Sequence, residues 1–296
     1  MIAVFALLMV LPAGVVRLSS TDVRNTGGLR GRVSVLEVRG PSDTQAHPVW
    51  VWRPPGADSA SIPVLYFLHG YPGQASDPFG YGLAKVLNQR LQAGYAPFIV
   101  ASLDGNGERH ADTEWANSYN GSELVEDRVI AADIPAVEGS HRRDAAHRWI
   151  SGFSMGGYGA MNIALHHPSM FSQVVSIAGY FHTNDLSDMF GDRGNLTAWN
   201  APDNQVARAR GMHILLDEDT ADPYSLITGQ APAFAKLLAA DHIPSTVRIE
   251  PGTHDWNYAM RALTGSLSFL TTGWDEALAP QVYTGGQGTA GQSSGG

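Results

Sequence analysis

From residue 63 onward, short apolar runs alternate with helix-like segments. Pro63–Leu68 (PVLYFL) and Phe98–Leu103 (FIVASL) are such runs, and His147–Ser151 (HRWIS), Gln173–Ile177 (QVVSI), Met212–Leu216 (MHILL) and Ser245–Glu250 (STVRIE) read as further strands. A strand that is apolar at successive positions has no wet face, so both of its faces must be covered. The segments between them supply the cover: 83–93, 125–138, 155–166, 231–240 and 256–270 all carry helical spacing. The pattern predicts an α/β domain with a mostly parallel central sheet and helices on both faces. Before it, Arg32–Arg39 alternates apolar and polar residues as an edge strand does, and Pro48–Arg53 reads as its hairpin partner. There is no internal repeat. A hydrophobic fraction of 44% is enough for a large core.

The chain ends carry different signals. Met1–Val16 is almost wholly apolar. It is short for a membrane span, and as a signal peptide it lacks a basic start. Three readings stand: a signal sequence, the remnant of a membrane segment, or an apolar element packed on the domain. The first two place the domain outside the cytoplasmic membrane, secreted or associated with the cell envelope. One domain is expected over 17–275, followed by a Gly/Ser-rich flexible tail over 276–296. The formal net charge of -9 repels phosphate backbones, which argues against a nucleic-acid partner. The absence of cysteine excludes disulfides, thiolate metal sites and thiol nucleophiles. No cofactor and no metal are expected.

The chemistry centres on Gly152-Phe153-Ser154-Met155-Gly156, placed between an apolar strand and a helix rich in small residues. A serine on such a strand-to-helix turn is exposed as a nucleophile, and the helix N-terminus favours negative charge beside it. The same residues in an ordinary turn would carry no chemistry; their flanking elements decide against that reading.

A serine hydroxyl needs a base. His254, in Pro251-Gly252-Thr253-His254-Asp255-Trp256, follows the last strand and is the candidate. His242 is the local rival. The acid should follow the strand at 212–216, where Asp217, Glu218, Asp219 and Asp222 compete. A loop carboxylate several residues past the strand can reach the histidine, which favours Asp222 over Asp217 and Asp219. Two backbone amides are expected to bind an oxyanion: that of Met155, after the nucleophile, and that of Tyr71, in the loop after the first buried strand. Trp115 and Trp256 are candidates for contacting substrate, a small-molecule ester.

These motifs together resemble the esterase D / antigen 85 family of α/β-hydrolases. The resemblance runs from about residue 32 to 274. It rests on FLHGYPG (67–73), DGNG (104–107), DTEWANS (112–118), the segment 152–171, LLDEDTADPY (215–224) and PGTHDW (251–256). It implies an α/β-hydrolase fold and a serine carboxylic-ester hydrolase working through an acyl-enzyme. An acyltransferase of the antigen 85 (mycolyltransferase) type is the alternative, and a non-catalytic cell-envelope binding protein a further one. Within the resemblance Asp222 matches the acid position, whereas Asp219 stands where glycine is usual.

Overall fold

The computed structural model describes residues 18–20, 30–182 and 187–272. The apolar segment 1–16 and the tail 276–296 lie outside them. Nine strands form one sheet in the order β1-β2-β3-β5-β4-β6-β7-β8-β9. They are β1 Leu18–Ser20, β2 Arg32–Val38, β3 His47–Arg53, β4 Val64–Leu68, β5 Ile99–Leu103, β6 Arg148–Phe153, β7 Gln173–Ile177, β8 His213–Asp219 and β9 Ser245–Glu250. The pairings from β5 through β4, β6, β7 and β8 to β9 are parallel. β1, β2 and β3 add an antiparallel edge. The helices are α1 Asp77–Gly80, α2 Leu83–Gln92, α3 Val125–Arg128, α4 Ile134–Glu138, α5 Met155–His166, α6 Gly194–Trp199, α7 Gln230–Ala240 and α8 Trp256–Thr272.

The sheet's pleat sorts its apolar residues into two layers. Val64, Tyr66, Leu68, Ile150 and Leu216 face one side, with residues of α5 and α7. Leu65, Phe67, Trp149, Val175 and Leu215 face the other, with residues of α2 and α8. This is why the central strands β4 and β5 are apolar at nearly every position. It is the mostly parallel, doubly covered sheet of an α/β-hydrolase. Every residue of α5 is buried, so this central helix has no polar face. Its one amide, Asn162, is bonded to Asn200 at 3.0 Å.

Three details differ from expectation. β1 adds a third strand ahead of the expected hairpin of Arg32–Arg39 and Pro48–Arg53. The segment 125–138 is not one α-helix: a π-helical turn, Val129–Asp133, interrupts it. The connection between β7 and β8 carries α6 and two 3-10 turns, Pro202–Asn204 and Val206–Ala209. Among the described residues, no helix is long and apolar enough to cross a membrane.

At the end of the sheet away from the nucleophile, Glu138 is buried among donors. Arg148 Nε and Nη2 reach its two oxygens at 2.7 and 3.0 Å, Tyr66 Oη donates at 3.1 Å, and the Arg143 amide at 3.0 Å. Burial pushes this carboxyl up, but the Arg148 and Arg143 bonds outweigh it and leave it below its usual range. Removing one partner strands the others in a dry site. Glu138→Ala is therefore expected to lower stability by roughly 3–5 kcal/mol, measured by urea unfolding.

Candidate active site

The nucleophile's position follows from missing side chains. A Cβ at Gly152 would overlap the backbone of Gly156, and one at Gly156 would overlap the carbonyls of Leu68 and His69. With both positions bare, α5 starts directly against β4 and β6. Ser154 occupies the turn with φ 57° and ψ -122°, a conformation that costs a non-glycine residue energy. It caps the N-terminus of α5, whose first amides have no intrahelical acceptor.

His254 arrives on the short connection from β9 to α8. Asp255 caps α8, accepting the Tyr258 amide at 2.8 Å, and so fixes where that connection ends. His254 Nε2 lies 2.8 Å from Ser154 Oγ, and Nδ1 lies 2.8 Å from Asp222 Oδ2. A carboxylate can only accept, so Nδ1 carries the proton and Nε2 is free to accept from the serine. Asp222 is itself oriented by the Tyr224 amide, bonded to Oδ1 at 2.8 Å. The Phe153 ring lies 4.7 Å from the His254 ring, and Tyr224 meets it edge-on at 5.0 Å. His242 sits exposed in a turn with φ 58°, outside this cluster.

The four competing carboxylates separate cleanly. Asp217 Oδ2 receives Arg248 Nε at 2.9 Å, and Oδ1 receives Tyr258 Oη at 2.9 Å. Glu218 caps α7, accepting the Gly229 and Ala231 amides at 2.6 and 3.0 Å. Asp219 Oδ1 accepts the Ala221 amide at 3.1 Å, while its buried Oδ2 has no hydrogen-bond partner among the described residues. Ligand atoms of Asp219, Asp222 and His254 lie within 4.8 Å of one another. Asp222 alone of the four bonds to the histidine.

On the other side of Ser154, Gly70 packs close enough that an added Cβ would meet Ser154 Cβ at 3.0 Å. His69 is buried beneath it. Its Nδ1 donates to Gly70 O at 2.9 Å, and its Nε2 accepts the Gly105 amide at 2.9 Å. These two bonds require a neutral ring with the proton on Nδ1. They also hold the Gly70–Tyr71 peptide with its carbonyl on His69, so that the Tyr71 N–H points the opposite way. Asp104 Oδ1 stands 3.5 Å from His69 Nε2. This relay behind the loop was not visible from the sequence, because its members are far apart in the chain.

The two tryptophans divide. Trp115 does not line the site: its side chain is fully buried, its Nε1 donates to His69 O at 3.0 Å, and its ring fills the space left by Gly105 and Gly159. Its motif marks a wedge under the loop of His69 and Gly70, which corrects the substrate-contact expectation. Trp256 is partly exposed. It stacks on the half-exposed Tyr81 at 5.5 Å and lies 5.6 Å from Phe153. Tyr71, Tyr81 and Tyr224 are exposed at 50%, 52% and 55%, unusual for aromatic side chains. Tyr224 on one side, and Phe153, Trp256 and Tyr81 in succession on the other, border His254 as an aromatic rim. Tyr81 and Tyr224 gave no periodic signal that could have singled them out.

Fold and site together define a serine hydrolase of the α/β-hydrolase class. The chain belongs to the esterase family whose model is described as "Putative esterase", matched over residues 44–270. It is similar to an S-formylglutathione hydrolase of Paracoccus denitrificans, with 24% identity over 233 residues, covering 70% of this chain and 81% of that protein. Esterase Rv1288 of Mycobacterium tuberculosis is 28% identical over 228 residues, 66% of this chain but 49% of that protein, about half its length. Among solved structures, a ferulic acid esterase superposes with a TM-score of 0.71 at 20% identity, covering 83% of this chain and 98% of its own. Mycobacterium tuberculosis MPT51 (FbpC1) gives 0.65 at 15% identity, covering 81% and 98%. The protein is a serine esterase, an enzyme that hydrolyses carboxylic esters.

The carboxyl of Asp219 is pushed up to about 6, by burial first and by the Asp222 carboxylate second. Its folded-state pKa thus exceeds the ordinary 3.8. Its favourable contribution to folding is complete below the ordinary value and lost as pH rises through the raised one. Asp219→Asn should therefore gain stability over wild type above neutrality, of the order of 1–2 kcal/mol, and the gain should vanish near pH ~4. Thermal melts across pH check this; a variant destabilised equally at every pH contradicts it.

Proposed function

We propose that Ser154, His254 and Asp222 form a catalytic triad that hydrolyses carboxylic esters through an acyl-enzyme. The observation that carries it is the unbroken line Asp222 Oδ2–His254–Ser154 Oγ, with 2.8 Å at each link. Ser154 Oγ attacks the ester carbonyl while His254 Nε2 takes its proton. The C–O bond of the collapsing intermediate breaks, and His254 returns that proton to the departing alkoxide. Water then attacks the acyl carbon, His254 accepts its proton, and the carboxylic acid leaves with Ser154 regenerated. Asp222 holds the tautomer and stabilises the imidazolium between the two steps.

The amides of Met155 and Tyr71 are the proposed oxyanion donors. Met155 opens α5 and has no intrahelical acceptor. The His69 bond to Gly70 O holds the Tyr71 peptide rigid before substrate arrives, which lowers the reorganisation needed at the moment of reaction. The aromatic rim of Tyr81, Trp256 and Tyr224 beside His254 supports an acyl group with a flat or extended apolar surface. The ferulic acid named for one structural neighbour is of that kind. Acyl transfer to an alcohol would use the same triad and differ only in the second attacking group.

Two substitutions test the mechanism with a chromogenic ester. Ser154→Ala should fold normally and lose activity by several orders of magnitude. Asp222→Asn should keep the geometry and lower kcat by roughly 10³–10⁴, because an amide at 222 can donate to Nδ1 and so select the wrong tautomer. Near-wild-type turnover in a folded Ser154→Ala protein contradicts the assignment.

A further inference from the structure

A second group of chemically capable side chains lies away from the triad. It forms where the β2–β3 connection meets the loop after β5. We propose that Asp43, His47 and Glu108 form a binding site for a divalent cation of the zinc class. One ligand atom from each lies within 4.8 Å of the other two.

His47 carries the argument. Its side chain is only 5% exposed. Nδ1 lies 3.0 Å from Asp104 Oδ2, which can only accept, so Nδ1 holds a proton. Nε2 is buried with no hydrogen-bond partner among the described residues, and it faces Asp43 Oδ2 at 3.9 Å. In a neutral ring this is a lone pair directed at a carboxylate. In a charged ring it is a buried N–H with no acceptor in bonding range. A metal ion between His47 and Asp43 removes either defect. A carboxylate behind the other ring nitrogen, here Asp104, is the usual support of a metal-bound histidine.

The two acids are already oriented. Asp43 Oδ2 accepts the Gly40 amide at 2.8 Å. Glu108 Oε1 accepts the Thr44 and Gln45 amides at 2.5 and 2.8 Å, and Oε2 accepts Thr44 Oγ1 at 2.6 Å. These bonds shape the loop and leave lone pairs over on both carboxylates. Loop shaping would explain Asp43 and Glu108 alone; it leaves His47 Nε2 unexplained. Arg128 is the cation described at this place. Its Nη1 is 3.8 Å from Asp43 Oδ2, but its Nη2 donates to Asp104 O and its Nε faces Asp133 at 3.9 Å. Its guanidinium is thus shared among Asp43, Asp104 and Asp133.

One imidazole and two carboxylates suit zinc better than calcium, which prefers an all-oxygen shell. A tetrahedral zinc with ~2.0–2.1 Å bonds sets its ligand atoms about 3.3 Å apart, so His47 and Asp43 need approach only slightly. Glu108 is partly open to solvent, which gives the ion a way in and a fourth position for water. Bound there, the ion would tie the β2–β3 connection to the loop after β5 that carries Asp104 and Glu108.

The test titrates the metal-stripped full chain with zinc chloride by calorimetry near neutral pH. Calcium chloride is the comparator, and melting temperature and esterase activity are read in parallel. The expected result is one zinc per chain, a raised Tm, and calcium weaker by about tenfold or more. His47→Ala and Glu108→Gln should each weaken zinc about tenfold or more. Glu108→Gln, at a partly open position, should keep its esterase activity without zinc and so separates lost binding from lost folding. No saturable zinc binding by the wild-type chain overturns the proposal. So does zinc that binds both variants with wild-type affinity, and so does zinc that inhibits the esterase with affinity unchanged in Glu108→Gln, which would place it on Asp222 and His254.

Discussion

Ser154 holds its strained φ of 57° because β6, β4 and the start of α5 meet with no side chains between them. A methyl group at Gly152 or Gly156 would force the helix away from the sheet. Everything else in the site is measured from that contact. The helix N-terminus lies at the serine because the helix begins on the strand. The Gly70 backbone touches Ser154 because it too lacks a side chain there. The energy stored in one turn is held by two fully buried apolar layers, whose area far exceeds what a single outlier costs.

Around that turn, buried polar groups are divided by task. Asp217 locks Arg248 and Tyr258, Glu218 caps a helix, and Asp222 takes the histidine. Asp219 is the exception: an acid set against another acid, with one oxygen unpartnered among the described residues. Burial first and the Asp222 charge second oppose its ionisation. On the opposite side, His69 has both ring nitrogens committed and holds the Gly70–Tyr71 backbone, with no nitrogen left for proton transfer.

Much of this was legible in the chain. Apolar runs of five or six residues are too short for helices and suit strands covered on both faces, so the parallel sheet followed from 63–68 and 98–103 and from their alternation with helical segments. Ser154, His254 and Asp222 were found because the chemistry requires a fixed order along the chain and a fixed place after particular strands. Trp115 was misread because a tryptophan beside a motif looks the same whether it lines a pocket or fills the gap left by two glycines; only its burial tells. The π-helical turn at Val129–Asp133 and the helix α6 lie in segments without a distinct period. The sorting of Asp217 and Glu218 depends on partners 11 to 41 residues away, such as Gly229, Arg248 and Tyr258, which no local pattern reveals.

The central claim is that Ser154 carries the acyl group during turnover. It is tested most directly by reacting the folded wild-type chain with a fluorophosphonate and mapping the adduct by peptide mass. One adduct per chain, confined to the peptide that holds Ser154 and formed as esterase activity is lost, is the predicted result. An adduct on another residue, or full esterase activity in a chain whose Ser154 is fully labelled, would contradict it.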